Sequence, residues 1–139
     1  MIITYAQEKN IDKSQLEHLY ADVGWTAYTR DMNQLHQALI QSYEVISAWD
    51  GDSLVGLIRT ISDGLTIVYI QDILVKQAYQ NKGIASVLMQ KELTEHAHVR
   101  QKVLLTGEAP DVRHFYEKNG FESCDQGESV AFGQFNING

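Results

Sequence analysis

Gln80-Asn81-Lys82-Gly83-Ile84-Ala85 is the stretch of this 139-residue chain whose residue types and spacing point most directly to chemistry. It lies between an apolar run ending at Val75 and a helical apolar pattern that begins at Ile84. A helix start leaves about four backbone N–H groups unpaired and carries roughly half a positive charge, so phosphate oxygens can be held there by backbone alone. Gly83 removes a Cβ where a diphosphate would approach, Ala85 stays small, and Lys82 adds a local positive charge. Gln80 can hold the turn or donate its amide. The pattern Q-x-x-G-x-A is neither G-x-G-x-x-G nor G-x-x-x-x-G-K-[ST], because the flanking glycines are absent. A diphosphate-gripping turn is expected, against the plainer alternative that a glycine simply opens a helix.

Other reactive residues offer less. His96 and His98 stand at i and i+2, which do not face one another on a helix, so no metal site is expected from them. His18, His36 and His114 stand singly and read as surface residues. Cys124 has no neighbouring His or basic cluster to activate it, which argues against a covalent cysteine route. As the chain's single cysteine it cannot close an intramolecular disulfide, which fits a reducing, cytoplasmic compartment.

The surrounding elements must position the turn. Ile2 to Ala6 is β-prone, and Asp12 caps a helix with Gln15 as its capping-box partner. Leu16, Leu19, Tyr20 and Val23 form that helix's core stripe, and Gly24 stops it. Trp25 to Tyr28 reads as a loop, and Thr29 caps a second helix carrying Met32, Leu35, Leu39 and Ile40. Tyr43 to Trp49 and Ser53 to Ile61 are strands joined by Asp50-Gly51-Asp52, and Asp63-Gly64 turns the chain into a third strand, Leu65 to Val75. A helix from Gly83 to about Ala97, a strand Val103 to Thr106 and a helix Asp111 to Asn119 follow. Phe121 to Phe135 reads as two further strands around Asp125-Gln126-Gly127, with a frayed tail from Asn136 to Gly139. The order β-α-α-β-β-β-α-β-α-β-β implies an α+β (α/β) mixed sheet flanked by helices, a single domain over residues 1–139.

Composition agrees with one soluble core: 44% hydrophobic, 21% charged, one Pro and ten Gly. The net charge of -7 argues against nucleic acid, which demands a basic stripe. The first residues lack the layout of a signal peptide, and no apolar run approaches the ~18 residues of a membrane span, so neither export nor a membrane partner is expected. A homodimer is left open.

The strand, the Q-x-x-G-x-A helix start and, about 30 residues on, Phe115-Tyr116-Glu117-Lys118-Asn119-Gly120-Phe121 together resemble the GNAT superfamily of acetyl-CoA-dependent N-acetyltransferases. Tyr69 to Val75 with Trp25 to Tyr28 is similar to a subgroup that includes small bacterial enzymes and plant-type arylalkylamine acetyltransferases. The resemblance implies a GNAT-like fold that covers nearly the whole chain. It further implies a splay between the strand ending at Val75 and the strand from Val103, with acetyl-CoA as co-substrate. Ile73, Leu74 and Val75 would pair with the pantetheine amides, and Gln80, Asn81, Lys82, Gly83, Ile84 and Ala85 would hold the diphosphate. Tyr116 matches the position that protonates or hydrogen-bonds the CoA sulfur; a phenol of pKa about 10 suits that leaving group.

The acceptor side is less defined. Strand alternation puts Tyr69, Gln71 and Ile73 on one face, none of them a carboxylate or His, with Asp72 facing the other way unless a bulge re-aims it. Asp72 is therefore kept as base or amine anchor, beside deprotonation through water. Trp25 and Tyr28 are candidates for an aromatic wall of the acceptor site or for simple loop packing, and Arg59 is assigned to neither site nor solvent. The family's Asn before the F-Y segment falls near Ala109-Pro110 and is absent, which puts one cofactor contact in doubt. The expected function is direct acetyl transfer to a primary amine of a small-molecule substrate. A protein lysine or N-terminal acetyltransferase and a non-catalytic acetyl-CoA sensor are the alternatives.

Overall fold

Strands β1 (Ile3–Gln7), β2 (Glu44–Asp50), β3 (Ser53–Ser62), β4 (Ile67–Val75) and β5 (Gln101–Leu104) lie side by side in chain order. The first four are antiparallel neighbours, and β5 runs parallel to β4. The computed structural model describes residues 1–136, in two compact units, Met1–Leu105 and Thr106 onward. The sheet belongs wholly to the first unit.

Three helices, α1 (Lys13–Asp22), α2 (Thr26–Thr29) and α3 (Met32–Ile40), connect β1 to β2. Leu16, Leu19, Tyr20, Leu35 and Leu39 from α1 and α3 pack with Val45, Leu54, Leu57 and Leu74 of the sheet in one buried cluster. Burying each such side chain is worth about 1.5–3 kcal/mol. The fourth helix, α4 (Ile84–Glu95), buries Ile84, Leu88 and Met89 and covers the other face. Successive residues of β3 show the two layers: Leu57 lies in the α1–α3 cluster, while a Cβ at Gly56 would meet Ile84 Cγ2 at 3.6 Å.

Local signals hold, with instructive displacements. The Asp12 side chain caps α1 by accepting from Gln15 N–H at 3.2 Å. The Gln15 side chain does not return the bond; its Nε2 donates to the Asp52 carbonyl and its Oε1 accepts from Leu54 N–H, both at 3.0 Å. Clamping the β2–β3 hairpin is the stronger use of that amide. Thr26 to Tyr28 enter the short helix α2 instead of a loop, and Asp31, not Thr29, caps α3 by accepting from Gln34 N–H at 3.0 Å. Strand β5 begins two residues before Val103 and ends at Leu104.

In the second unit α5 (Pro110–Lys118) starts on a proline, whose missing N–H costs nothing at that position. Tyr116 packs edge-on against Phe115 at 5.1 Å and Phe121 at 6.0 Å. The two strands expected over Phe121 to Phe135 are absent among the described residues; a single 3-10 turn, Cys124–Gln126, takes their place. Val130, Phe132 and Phe135 break the two-residue alternation, Gly127 and Gly133 interrupt the run, and the three side chains are 67%, 93% and 76% exposed. A strand there has no apolar face to bury. Of the expected frayed tail, residues 137–139 lie outside those described.

Candidate active site

Strand β4 carries the site, and its two edges differ. Pairing with β5 runs from Ile67 opposite Gln101 to Ile70 opposite Leu104 and stops there, while pairing with β3 continues to Val75. Among the described residues no strand pairs with the Gln71 to Val75 stretch on that second edge. Its outward peptide groups are open to another hydrogen-bonding chain.

The turn after Val75 is fixed from several sides. A 3-10 turn over Gln77–Tyr79 is tied to the end of α1, where Gln77 N–H donates to Asp22 Oδ2 at 2.7 Å, and to β2, where the Tyr79 hydroxyl donates to Asp50 Oδ2 at 2.6 Å. Gln80 holds the turn: its Nε2 donates to the Val75 carbonyl at 2.9 Å. Asn81 has φ 62° and Gly83 φ 85°, so the chain enters α4 through two left-handed residues. A Cβ on Gly83 would meet nothing within 4 Å, so this glycine answers to backbone conformation before any ligand is considered. No side chain caps α4; Ile84 is buried, Ala85 half-buried, and Asn81, Lys82 and Gly83 are exposed. Gly56 shapes the same region, since a Cβ there would lie 3.1 Å from the Leu74 carbonyl oxygen and 3.2 Å from Val75 Cγ2.

The other side of β4 holds a buried polar network. Arg59 pairs with Asp72 and Thr60 with Ile70, so Gln71 is the extra residue of a bulge. Directly opposed residues share a face. Leu57 and Leu74 lie in the α1–α3 cluster, so Arg59 and Asp72 face that way too, as do Ile61 and Tyr69 beyond the bulge. Ile58 and Ile73 take the α4 side. Strict alternation therefore fails: Tyr69, Gln71 and Asp72 share the α1–α3 side, and Ile73 leaves it.

Asp72 is 3% exposed and meets three donors. Its Oδ2 accepts from Tyr20 OH and Arg59 Nε, both at 2.9 Å, and its Oδ1 accepts from Tyr28 OH at 2.7 Å. The Tyr28 hydroxyl in turn accepts from Gln71 Nε2 at 3.1 Å and Arg59 Nη2 at 3.4 Å. Burial pushes both phenols up, helped by the Asp72 charge, so both stay protonated donors. Burial alone would lower the Arg59 guanidinium; Asp72 more than offsets it and raises it. Trp25, 37% exposed, leans on Tyr20 and Tyr28 with ring centroids 6.0 and 6.3 Å away. An aromatic and amide surface at Trp25, Tyr28 and Gln71 thus rests on a charged, buried floor, with Tyr69 on the same side of β4.

Sequence alone does not mark Tyr20 or Arg59 as functional. A Tyr within an apolar helix stripe was the available signal, since a buried phenol demands a partner. In the second unit, burial raises the Tyr116 phenol and a hydrogen bond with Thr106 partly offsets it.

The whole chain, with this open strand edge, left-handed turn and uncapped helix, is similar to known proteins. A family model described as an acetyltransferase (GNAT) domain matches residues 20–133. The chain belongs to the GNAT family. A GNAT family protein from Streptococcus pneumoniae TIGR4 is 34% identical with a TM-score of 0.86, covering 98% of this chain and 99% of that one. A relative from Prochlorococcus marinus, described as an uncharacterised N-acetyltransferase of the ycf52-like type, is 27% identical and covers 92% of this chain and 72% of its own length. AAC(6')-Iy in complex with the bisubstrate analogue CoA-S-monomethyl-acetylneamine is 15% identical with a TM-score of 0.67, covering 99% of this chain and 100% of that one; at this identity it shows the fold alone. The chain is thus a GNAT N-acetyltransferase, built on a mixed five-stranded sheet. No helix among the described residues is long and apolar enough to cross a membrane.

Proposed function

We propose that this enzyme transfers acetyl directly from acetyl-CoA to a primary amine of a small molecule. The observation that carries this is the unbroken path from the open β4 edge, through the Gln80–Ala85 turn, to the uncapped start of α4. Acetyl-CoA fits it in kind: an amide-bearing chain can add to a strand edge, and a diphosphate suits unpaired N–H groups at a helix start beside Lys82. Ile73, Leu74 and Val75 would hold the pantetheine part, and Asn81, Lys82, Gly83, Ile84 and Ala85 the diphosphate, with Gln80 keeping the turn closed.

Acetyl-CoA supplies an activated thioester; the protein must orient it, stabilise the developing oxyanion, admit a neutral amine and protonate the leaving thiolate. An unpaired backbone N–H near Leu74 or Val75 serves the oxyanion in this reading. Tyr116 keeps the proton-donor role implied by the family motif. Trp25, Tyr28, Tyr69 and Gln71 form the acceptor surface. Asp72, engaged by three donors, anchors Tyr28 and, through the Tyr28 hydroxyl, Gln71, and the amine loses its proton through water. The bisubstrate analogue bound by AAC(6')-Iy joins CoA to acetylneamine, which supports a small amine acceptor on this fold.

Release of CoA measured against a panel of small primary amines and lysine-bearing peptides tests the reading. Turnover on small amines, cut by Tyr116→Phe, is the expected result. Turnover on peptides alone would make it a protein acetyltransferase. Tight acetyl-CoA binding without turnover on any amine, unchanged by Tyr116→Phe, would make it a binding module.

A further inference from the structure

Glu44, Glu92 and His96 each bring a donor atom to within 4.8 Å of the others, at the end of α4 remote from the Gln80–Ala85 turn. Glu92 and His96 are four residues apart at the close of the helix, so both project to one side, and Glu44 opens β2 beside them. Both Glu92 and His96 are 2% exposed. Glu44 Oε1, Glu92 Oε1 and His96 Nε2 have no hydrogen-bond partner, and Glu92 Oε2 faces the His96 ring. Glu44 Oε2 accepts from Gln7 Nε2 at 2.5 Å. His96 Nδ1 lies 3.1 Å from the Glu92 carbonyl oxygen, to which it donates, and 3.0 Å from Glu92 Oε2. With Nδ1–H held by a carbonyl, Nε2 is the ring nitrogen left to ligate a metal, which histidine does as the neutral imidazole.

We propose that Glu44, Glu92 and His96 form a structural binding site for a divalent first-row transition metal, zinc in the first instance, which ties the C-terminal end of α4 to β2. A buried carboxylate and a buried imidazole beside a second, half-buried carboxylate have little reason to cluster unless a cation or a shared proton joins them. Oxygen and imidazole donors suit zinc, with water completing the shell. The negative end of the helix favours a cation at this position. Donors about 2.1 Å from one ion stand no more than ~4.2 Å apart, so the widest separation closes by roughly half an ångström, within reach of side-chain rotation. From Gly83 to His96 is about 20 Å along the helix at 1.5 Å per residue, so the ion holds structure and takes no part in acyl transfer. His98, stacked on His96 at 6.5 Å between ring centroids, is not a member of the donor set.

Titration of the chelator-treated 139-residue chain with zinc chloride, by calorimetry and thermal melting, tests the site. One equivalent should bind and raise the melting temperature. Glu92→Gln and His96→Gln should each weaken binding by about 100-fold or more while leaving acetyl-CoA binding intact. Cobalt(II) on the unsubstituted chain should give visible d–d absorption with no thiolate charge-transfer band, which separates this site from the exposed Cys124. No zinc binding, undiminished binding by folded Glu92→Gln, or a thiolate band at one equivalent of cobalt would each overturn the proposal. Should both variants fail to fold, the cobalt spectrum decides.

Discussion

The Tyr28 hydroxyl donates to Asp72 Oδ1 at 2.7 Å, joining the short helix α2 to the middle of β4 across 44 residues of sequence. Asp72 is itself held by Arg59 on the opposing strand, so the orientation of an acceptor-side phenol is set by a buried ion pair. Tyr28 is a neutral member of the network on its half-exposed side, so it can change while the Arg59–Asp72 pair stays intact.

Tyr28→Phe should therefore cost about 1.5–3 kcal/mol of stability, the loss of a hydrogen bond to a charged group. Its kinetic effect should fall on the amine, raising that KM severalfold with the KM for acetyl-CoA unchanged. Asp72→Ala leaves Arg59 buried and unpaired and should cost about 3–5 kcal/mol. Chemical denaturation of both variants checks the order; equal losses would mean that Asp72 is not the anchor.

Gly83→Ala separates conformation from ligand approach. A Cβ meets nothing within 4 Å, so the expected loss of about 1–2 kcal/mol comes from φ 85° alone. Gly83→Asn, which tolerates the left-handed region better, should recover much of that stability. Neither should recover acetyl-CoA affinity if a diphosphate approaches at this point. Melting curves with and without acetyl-CoA measure both effects, and full affinity in Gly83→Asn would place the diphosphate elsewhere.

These glycines also show what the sequence could convey. The spacing of Gln80, Gly83 and Ala85 after an apolar strand marked the turn because its requirements are local: a left-handed entry, a small residue and a helix start. Asp72 was harder to read. Its face depends on a bulge at Gln71 that exists only because β3 pairs with β4 out of simple register, a relation between segments that no single-strand pattern records. Arg59 and Tyr20 were hidden for the same reason, each being ordinary in its own element and unusual only when brought to Asp72. The strands expected over Phe121 to Phe135 show the opposite error. Local β propensity was present, but a strand needs a partner ladder and a buried face, and Val130, Phe132 and Phe135 have none.

Gly56→Ala tests the strand edge from behind. The new Cβ would lie 3.1 Å from the Leu74 carbonyl oxygen and 3.2 Å from Val75 Cγ2, so β4 must shift by a few tenths of an ångström. A stability loss of about 1–2 kcal/mol is expected from this overpacking. The displaced residues are those assigned to pantetheine, so the KM for acetyl-CoA should rise while the amine KM stays put. An effect confined to the amine would move the cofactor off this edge.

Tyr116→Phe tests the proton donor through pH as well as rate. General acid catalysis by a positioned side chain is worth roughly a hundredfold or more, so kcat should fall by about that factor at neutral pH. Burial raises the phenol above its usual value of 10.0, so the acid form that can donate persists up to and beyond pH 10 and is lost only above that. The ratio of wild-type to Tyr116→Phe rates should therefore stay level from about pH 7 to 9 and shrink only at the alkaline end, where the wild-type phenol ionises. A ratio that already falls between about pH 7 and 9 would show that a different group, with a lower pKa, supplies the proton. A Tyr116→Phe enzyme with undiminished kcat would leave the thiolate to be protonated by solvent.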